Sequence, residues 1–403
     1  MTNPSPLKAR HDRQHAMQLE YGPAGTGVVV VETFGNLEFE YASARKGCVL
    51  LDHAQRGTIE IRGEDRLSFL SSMVTQNLTT LTPMTHRSSF WLNRKGKIIA
   101  DLRLCELGDR IVADVDVLSA QAAADSLNEY VITEDVQIEA ITDRTHRLGL
   151  HGPTAADLLG LASGGEGPVT IDEGHAAWLD IAGHRVLVER TDWLGEPGFE
   201  LSLAPDGVVA VWELLCEVGF PPELDPDTGE PHEPATPTQS RIRMRPTGWL
   251  AVNMARIEAG SAMFNLDFGG NSLPAETGLL SERVDFKKGC YLGQEVVARM
   301  DALGRPKQVL VGLAFEGERV TASHAEPRQP ITGAEVFKPE DPTGNPVGSV
   351  TSSTLSPMLG GLPVCFATVR YAHREPGTKL LVTADGEQIE ATVQPSLRFW
   401  PRP

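Results

Sequence analysis

The sequence has little cysteine, and its cysteines follow no pattern of a metal module or a disulfide scaffold. The 403 residues contain Cys48, Cys105, Cys216, Cys290 and Cys365, an odd and scattered set without a C-x-x-C pair. This spacing excludes a small zinc module and a disulfide framework, and it fits a reducing cytoplasm. It also supplies no ligand set for a permanently bound iron–sulfur cluster. We therefore expect a cytoplasmic protein and predict no metal site.

Long apolar runs and an excess of basic residues are also missing. The formal net charge is −18, which disfavours non-specific binding to nucleic acid or to anionic membranes. No uncharged apolar run approaches the roughly 20 residues of a membrane helix, and residues 1–6 have no signal-peptide core. We expect neither nucleic acid nor membrane as a partner, although a local basic pocket for an anionic cofactor remains compatible with this charge.

The composition and length predict a globular protein of two or three domains, with 41% hydrophobic and 22% charged residues. Strand and helix patterns alternate through the first 305 residues, which favours an α+β or α/β body. From residue 306, short strands separated by glycine and proline predict a β-barrel. The predicted domains are an N-terminal extension (1–24), the body (25–305) and the barrel (306–403). A proline-rich stretch at about 220–246 is interpreted as a surface insertion.

The densest motif is the stretch 284–295. Gly289 and Gly293 permit backbone conformations or close approaches that other residues resist. Cys290 follows two lysines, the second of which is Lys288, and nearby cations would lower the pKa of its thiol. The alternative is a loop with a small buried cysteine, because free cysteine is often a compact apolar residue.

Residues 288–295, K-G-C-Y-L-G-Q-E, resemble the K-G-C-Y-x-G-Q-E signature of the YgfZ family. That family binds folate and is related to the aminomethyltransferase (T-protein) of the glycine cleavage system. The resemblance implies an α+β fold, with an aminomethyltransferase-like folate-binding body of two α/β subdomains around a central cavity and a C-terminal β-barrel. It implies a protein that binds tetrahydrofolate, or a one-carbon derivative of it, and supports assembly or repair of iron–sulfur clusters through transient contact with other enzymes. Cys290 would then be a thiolate acting as nucleophile, transient metal ligand or redox-sensitive group.

Glu200 is the candidate for pterin binding. Residues 195–200, G-E-P-G-F-E, resemble the G-E-x-G-x-E motif of aminomethyltransferases, whose last glutamate contacts the pterin. A carboxylate suits the row of N–H donors on a pterin edge, because it accepts two hydrogen bonds at once. The alternative is an ordinary strand residue that faces solvent.

Three more residues are candidates for holding folate. Arg256 lies in R-I-E-A-G, which resembles the superfamily's R-x-E-A-G, and the resemblance implies that this arginine lies in the folate pocket. The alternative is an intrahelical ion pair or an exposed arginine. Trp249 is a candidate for the wall against which the p-aminobenzoate ring packs, and the alternative is a core residue that needs no ligand. Lys288 offers a cation for the glutamate tail if it does not serve Cys290.

One position departs from the aminomethyltransferase pattern. That family carries G-G-x-x-D-D with a catalytic first aspartate, and the matching run here is Gly96-Lys97-Ile98-Ile99-Ala100-Asp101. Alanine can neither position an amine nor stabilise a developing cation. Asp101 faces the opposite side of the strand, so we retain it only as a pocket candidate. Enzymatic turnover stays open, and the alternatives are a folate-dependent aminomethyltransferase or one-carbon enzyme and a non-catalytic folate-sensing scaffold.

Overall fold

The computed structural model describes residues 4–219, 242–315 and 328–400. The chain forms two compact units. The first comprises Met1–Arg66, Leu81–Arg87 and Arg103–Val252, and the second comprises Leu67–Thr80, Ser88–Leu102 and Asn253–Pro403.

Helices and strands alternate through most of the chain, and the last third is mainly β-structure. The helices within the described residues are α1 (Lys8–Arg13), α2 (Leu37–Lys46), α3 (Arg66–Met73), α4 (Ala120–Asn128), α5 (Ala155–Ala162), α6 (Val208–Gly219), α7 (Trp249–Ala259), α8 (Leu280–Arg283) and α9 (Gln294–Leu303). The strands of the same residues are β1 (Met17–Glu20), β2 (Val29–Thr33), β3 (Cys48–Asp52), β4 (Arg56–Arg62), β5 (Thr85–Leu92), β6 (Ile98–Glu106), β7 (Arg110–Asp116), β8 (Gln137–Ala140), β9 (His146–His151), β10 (Ala176–Ile181), β11 (His184–Arg190), β12 (Gly198–Leu203), β13 (Met244–Pro246), β14 (Gln308–Phe315), β15 (Glu335–Phe337), β16 (Gly348–Ser356), β17 (Leu362–Arg370), β18 (Lys379–Ala384) and β19 (Glu387–Val393).

A six-stranded sheet of order β10-β11-β12-β9-β3-β13 organises the first unit. Successive side chains of a strand point to opposite faces, so each strand contributes to both sides of the sheet. On one face, side chains such as Leu50, Leu150 and Leu201 pack with residues of α5 and α6 in a fully buried core. The opposite face receives the residues between them, which include Gly149 and Glu200.

The N-terminal segment packs into the first unit. Leu7, just before α1, has no solvent exposure and belongs to the core of the six-stranded sheet. Within α1, His11 Nε2 lies 2.9 Å from Asp52 Oδ2, and Ser5 Oγ donates to the same oxygen at 2.5 Å. Strand β1 then pairs antiparallel with β2. The polar composition of this segment predicted a frayed or helical end, and its strand was missed.

A second sheet of the first unit runs β6-β7-β4-β8, to which β6 contributes residues 103–106. The β4–β7 pairing is antiparallel over seven residue pairs, from Arg56↔Asp116 to Arg62↔Arg110. In the second unit, β5 and the first part of β6 are neighbouring strands joined by a tight turn, where Asn93 N donates to Lys97 O at 2.9 Å.

The C-terminal strands of the second unit close into a barrel of order β14-β17-β16-β15-β18-β19, in which β14 also pairs with β19. Its interior is filled by β-branched and other apolar side chains, among them Leu313, Val350 and Val382. These observations confirm the expected fold class of an aminomethyltransferase-like α+β body with a C-terminal β-barrel.

One boundary of the predicted proline-rich insertion needs correction, and most of that stretch, 220–241, lies outside the described residues. Residues 244–246 form β13, which pairs parallel with β3, and Ile242 and Met244 are buried. The alternation of apolar and basic residues in this short run matches a strand with one buried face. The domain limits proposed from the sequence stay predictions. None of the helices in the described ranges combines the length and the apolar character that a membrane crossing requires.

Candidate functional site

Glu200 lies on the face of the six-stranded sheet that points away from the α5–α6 core. Its side chain is buried, so the alternative of a solvent-facing strand residue is wrong. Oε1 accepts a hydrogen bond from Trp193 Nε1 at 2.9 Å and lies 3.2 Å from His151 Nε2. Oε2 lies 3.5 Å from His53 Nε2. The loop before β12, the end of β9 and the residue after β3 thus place two imidazoles and an indole around one carboxylate.

Two glycines make room for the imidazoles. Gly149 is paired with Glu200 across the β9–β12 ladder, and a Cβ at Gly149 would lie 2.4 Å from His53 Nε2. Gly198 is paired with His151, and a Cβ there would lie 1.9 Å from His151 Nδ1. Such distances are shorter than van der Waals contact, so the rings lie directly over the glycine backbone.

The charges of the cluster follow from burial and from its neighbours. Burial alone raises the pKa of Glu200, but the surrounding His53, His151 and Arg103 outweigh it and hold the pKa well below the ordinary 4.5. Burial lowers the pKa of His53 to about 4, against the opposing influence of Glu200. At neutral pH the cluster therefore contains an ionised carboxylate beside a neutral His53.

A pocket in the first unit adjoins His53. It is lined by Val30, Val31, Leu51, Asp52, His53, Gln55, Thr247, Gly248, Trp249 and Val252. His53 thus connects two predicted folate residues, because its ring lines the pocket with Trp249 while its Nε2 faces Glu200. Trp249 is partly exposed, which suits a pocket wall better than the alternative of a fully buried core residue.

A buried ionic network lies on the same side of the sheet. Asp114 accepts from Arg56 Nε at 2.9 Å and lies 2.8 Å from Arg103 Nη2, while Arg147 Nη1 donates to Glu189 at 2.7 Å. Burial raises the pKa of the Asp114 carboxyl, but Arg147, Arg56 and Arg103 outweigh it and hold that pKa far below its ordinary value. Asp114 therefore stays ionised at neutral pH among these three arginines.

In the second unit, Lys288 anchors the stretch 284–295 to the end of α3 and to the residues that follow it. Its Nζ donates to the backbone carbonyls of Ser71, Val74 and Gln76 at 2.5, 2.6 and 3.0 Å. The ammonium also lies 5.1 Å from the centroid of the Tyr291 ring. Burial lowers the pKa of Lys288 to about 8. These contacts give Lys288 a structural task, while its predicted role toward folate or Cys290 stays a prediction.

Cys290 is exposed, so the alternative of a small buried cysteine is wrong. Of the two flanking glycines, Gly293 has a φ of +82° and begins α9 at its N-cap, and a Cβ there would lie 2.8 Å from Asn93 O. Glycine at this position is therefore required by both conformation and packing. Gly289 has no such constraint from any described atom within 4 Å. Cys290 thus lies at the surface between Lys288, which donates to three carbonyls, and Gly293, which begins α9.

Arg256 is buried within the second unit. It donates to Asp267 Oδ2 at 2.8 Å, to Ser352 Oγ at 2.6 Å and to Asn253 Oδ1 at 2.9 Å. These contacts join α7 to barrel strand β16. Because the side chain is buried, the alternative of an exposed arginine is wrong. Its role in a folate pocket stays a prediction.

Ala100 is buried without exposed surface, and Asp101 accepts a hydrogen bond from Arg283 Nε at 2.9 Å. Ala100 and Asp101 are successive residues of β6, so their side chains point to opposite faces of the strand, as expected. The position that carries an acid in the aminomethyltransferase pattern therefore presents only a methyl group here.

The predicted candidates divide between the units. Glu200 and Trp249 belong to the first unit and meet the same histidine, whereas Arg256, Asp101, Lys288 and Cys290 belong to the second. From the motifs we also predict that Glu200 and Cys290 line one cavity, and this stays a prediction. Sequence reasoning made no prediction for His53 and His151, which are 98 positions apart. Their only local signal is that each lies at the end of an apolar strand.

The comparisons with known proteins agree with this architecture. The GCVT N-terminal domain matches residues 10–227, and the glycine cleavage T-protein C-terminal barrel domain matches residues 309–399. The chain is 24% identical to an aminomethyltransferase of Chloroherpeton thalassium over 393 residues, which cover 96% of each chain. It is 28% identical to the aminomethyltransferase of Streptomyces coelicolor over 361 residues, covering 86% of this chain and 84% of the relative.

Among solved structures, the glycine cleavage system aminomethyltransferase T from Bartonella henselae superimposes with a TM-score of 0.80 at 24% identity, covering 99% of this chain and 98% of that one. The resemblance in fold thus extends over nearly the whole chain. Because the N-terminal domain model alone spans more than half of the sequence, the chain belongs to the glycine cleavage T-protein (GCVT) family.

Proposed function

We propose that this protein binds tetrahydrofolate, or a one-carbon derivative of it, in the first unit and acts in folate-dependent one-carbon transfer of the aminomethyltransferase type. The observation that carries the proposal is the buried, ionised Glu200 beside a pocket that Trp249 lines. Relatives named aminomethyltransferase match nearly the full length of the chain. Tetrahydrofolate is the cofactor expected for this family.

The chemistry of the site suits a pterin. Within the described ranges, the nearest polar approach to Glu200 Oε2 is His53 Nε2 at 3.5 Å. A carboxylate accepts two parallel N–H hydrogen bonds. Such charge-assisted hydrogen bonds contribute about 1.5–3 kcal/mol each. The aromatic face of Trp249 and the apolar residues beside it supply a wall for a flat ring.

Calorimetric titration with tetrahydrofolate tests the binding proposal. Glu200→Gln is expected to weaken the affinity about 10- to 100-fold, which corresponds to the loss of one charge-assisted interaction. Glu213→Gln is the matched control, because Glu213 is an exposed residue of α6 that pairs with Arg10. Equal affinities of the wild type and Glu200→Gln would remove Glu200 from the folate site.

Turnover is tested separately with aminomethylated carrier protein and tetrahydrofolate, with ammonia release as the readout. Ala100 supplies no general acid or base, so any turnover must rely on other groups, and we expect it to be slow compared with an enzyme that retains the acid. Tetrahydrofolate binding without ammonia release would favour the second candidate.

The second candidate is a YgfZ-type protein that supports assembly or repair of iron–sulfur clusters in other enzymes. It is favoured by the exposed Cys290 within K-G-C-Y-L-G-Q-E and by the methyl group at Ala100. In a strain that lacks this protein, the Cys290→Ala variant is then expected not to restore the activity of iron–sulfur enzymes. Full restoration would reject thiol chemistry and would favour a non-catalytic folate-sensing scaffold.

A further inference from the structure

We propose that His53, His151 and Glu200 form a binding site for one divalent transition-metal ion. Their nearest ligand atoms all lie within 4.8 Å of one another, and the two nitrogen–oxygen distances to the carboxylate are 3.2 and 3.5 Å. A tetrahedral ion with bonds of about 2.0–2.2 Å separates its ligand atoms by roughly 3.3 Å. The three side chains can therefore close around an ion with small movements.

Unsatisfied nitrogen atoms provide an independent reason. The His53 side chain is 4% exposed, and its Nε2 atom, which faces Glu200, has no hydrogen-bond partner among the described residues. Buried polar atoms without a partner cost about 1–3 kcal/mol each. A metal ion bonded to this nitrogen would remove that cost.

Gln55 is placed to orient His53 as a ligand. Its Nε2 atom lies 3.0 Å from His53 Nδ1, while its Oε1 atom is buried without a partner in the described chain. If the amide rotates by half a turn, Oε1 accepts a proton held on Nδ1, and the lone pair of His53 Nε2 becomes free for a metal. Such hydrogen bonds to the second ring nitrogen are usual for metal-binding histidines.

The backbone around the cluster leaves space that a side chain would fill. A Cβ at Gly149 would lie 2.4 Å from His53 Nε2 and 3.1 Å from His151 Nε2. The glycine therefore holds open the space between the two nitrogen atoms. Trp193 Nε1 meanwhile donates to Glu200 Oε1 and fixes the carboxylate.

The donor set selects the class of metal. Imidazole nitrogen suits zinc, copper, iron and nickel, whereas calcium and magnesium require mainly oxygen ligands. Two histidines and one glutamate leave a fourth position for water or another donor, as in zinc sites that act on substrates. We therefore expect Zn²⁺ and Co²⁺ to bind and Mg²⁺ not to compete.

The metal site and the proposed folate site share one carboxylate. A metal bonded to Glu200 and a pterin edge paired with the same oxygens exclude each other, so the two occupants are expected to compete. Metal binding is measured without folate, and its outcome is therefore independent of the proposed function.

The experiment uses the full-length protein after treatment with a chelator, titrated with Zn²⁺ by calorimetry and with Co²⁺ by visible absorption. We expect one ion per chain, a dissociation constant in the micromolar range or tighter, and the intense visible bands of four-coordinate cobalt. His151→Gln and Glu200→Gln should each weaken binding at least tenfold. His175→Gln, which changes an exposed histidine of the same unit, should bind as the wild type does.

The proposal is overturned if the two variants bind Zn²⁺ as tightly as the His175→Gln control. It is also overturned if the wild-type protein with Co²⁺ shows no visible bands of four-coordinate cobalt, a result that does not depend on whether any variant folds. Far-UV circular dichroism of each variant separates loss of the site from loss of the fold.

Discussion

Replacing Asp114 with asparagine is expected to destabilise the first unit strongly at neutral pH. Three guanidinium groups converge on this carboxylate, with Arg103 and Arg56 at 2.8 and 2.9 Å and Arg147 at 3.3 Å. The neutral amide has the same shape but leaves these buried cations with less compensation. Removing one partner of a buried ion pair costs about 3–5 kcal/mol. That is a large part of the 5–15 kcal/mol by which domains are usually stable.

The same substitution predicts a definite pH dependence. The arginines depress the pKa of Asp114 in the folded state, so its stabilising contribution is complete above the unfolded pKa of about 3.9. The contribution is lost as the pH falls below that value and the folded carboxylate takes up its proton. The wild type and the variant should therefore differ most in free energy of unfolding above about pH 5. The difference should begin to shrink below about pH 4 and should disappear only as the pH falls through the depressed pKa of the folded state.

Urea denaturation followed by tryptophan fluorescence at pH 7, 5, 4 and 3 measures this difference. Asp109→Asn is the matched control, because Asp109 is exposed and lies 3.2 Å from Arg110 in a surface pair. Exposed pairs contribute about 0–1 kcal/mol, so the control should lose little. An Asp114→Asn loss below 1 kcal/mol, or an equal loss at pH 7 and pH 3, would refute the assignment of a stabilising buried charge.

Three further predictions concern other parts of the chain. Lys288→Met leaves three carbonyls without their donor and should lower the free energy of unfolding by at least about 2 kcal/mol. The control Lys287→Met, at an exposed position, should lower it by less than about 0.5 kcal/mol. Equal effects of the two variants would contradict the anchoring role of Lys288. Cys290 should react first with iodoacetamide in the folded protein, and Cys290→Ser should remove the fast phase of labelling; a fast phase that persists in the variant would show that another thiol is accessible. Gly149→Ala should displace the ring of His53 and lower the melting temperature by several degrees, because overpacking costs about 1–3 kcal/mol; an unchanged melting temperature would contradict the close approach.

Much of the fold was predictable because local patterns and tertiary contacts agree. The alternation of strands and helices before residue 306 and the barrel strands after it follow from periodicity and turn residues, and the structure confirms them. The strand β13 was missed because three residues next to a proline-rich run carry too short a pattern for a reliable prediction.

The candidate site was predictable only where a motif marked it. Glu200 was found through its glycine loop, but His53 and His151 were not, because the pairings of β9 with β3 and β12 that assemble them are long-range. The prediction that no metal site exists rested on cysteine spacing, which is silent about a histidine–carboxylate set. The arginines around Asp114 were missed because each comes from a different strand, so only long-range strand pairing brings them together.

The packing of the first residues has a practical consequence for truncated versions of the protein. Trimming the chain at residue 25 would remove Leu7 from a closed core and would take away the His11 and Ser5 contacts of Asp52. Emptying a leucine-sized space alone costs about 2.7–5 kcal/mol. A synthetic peptide of residues 4–24 is therefore expected to bind the shortened chain and restore its stability, as a missing strand or helix does in fragment complementation.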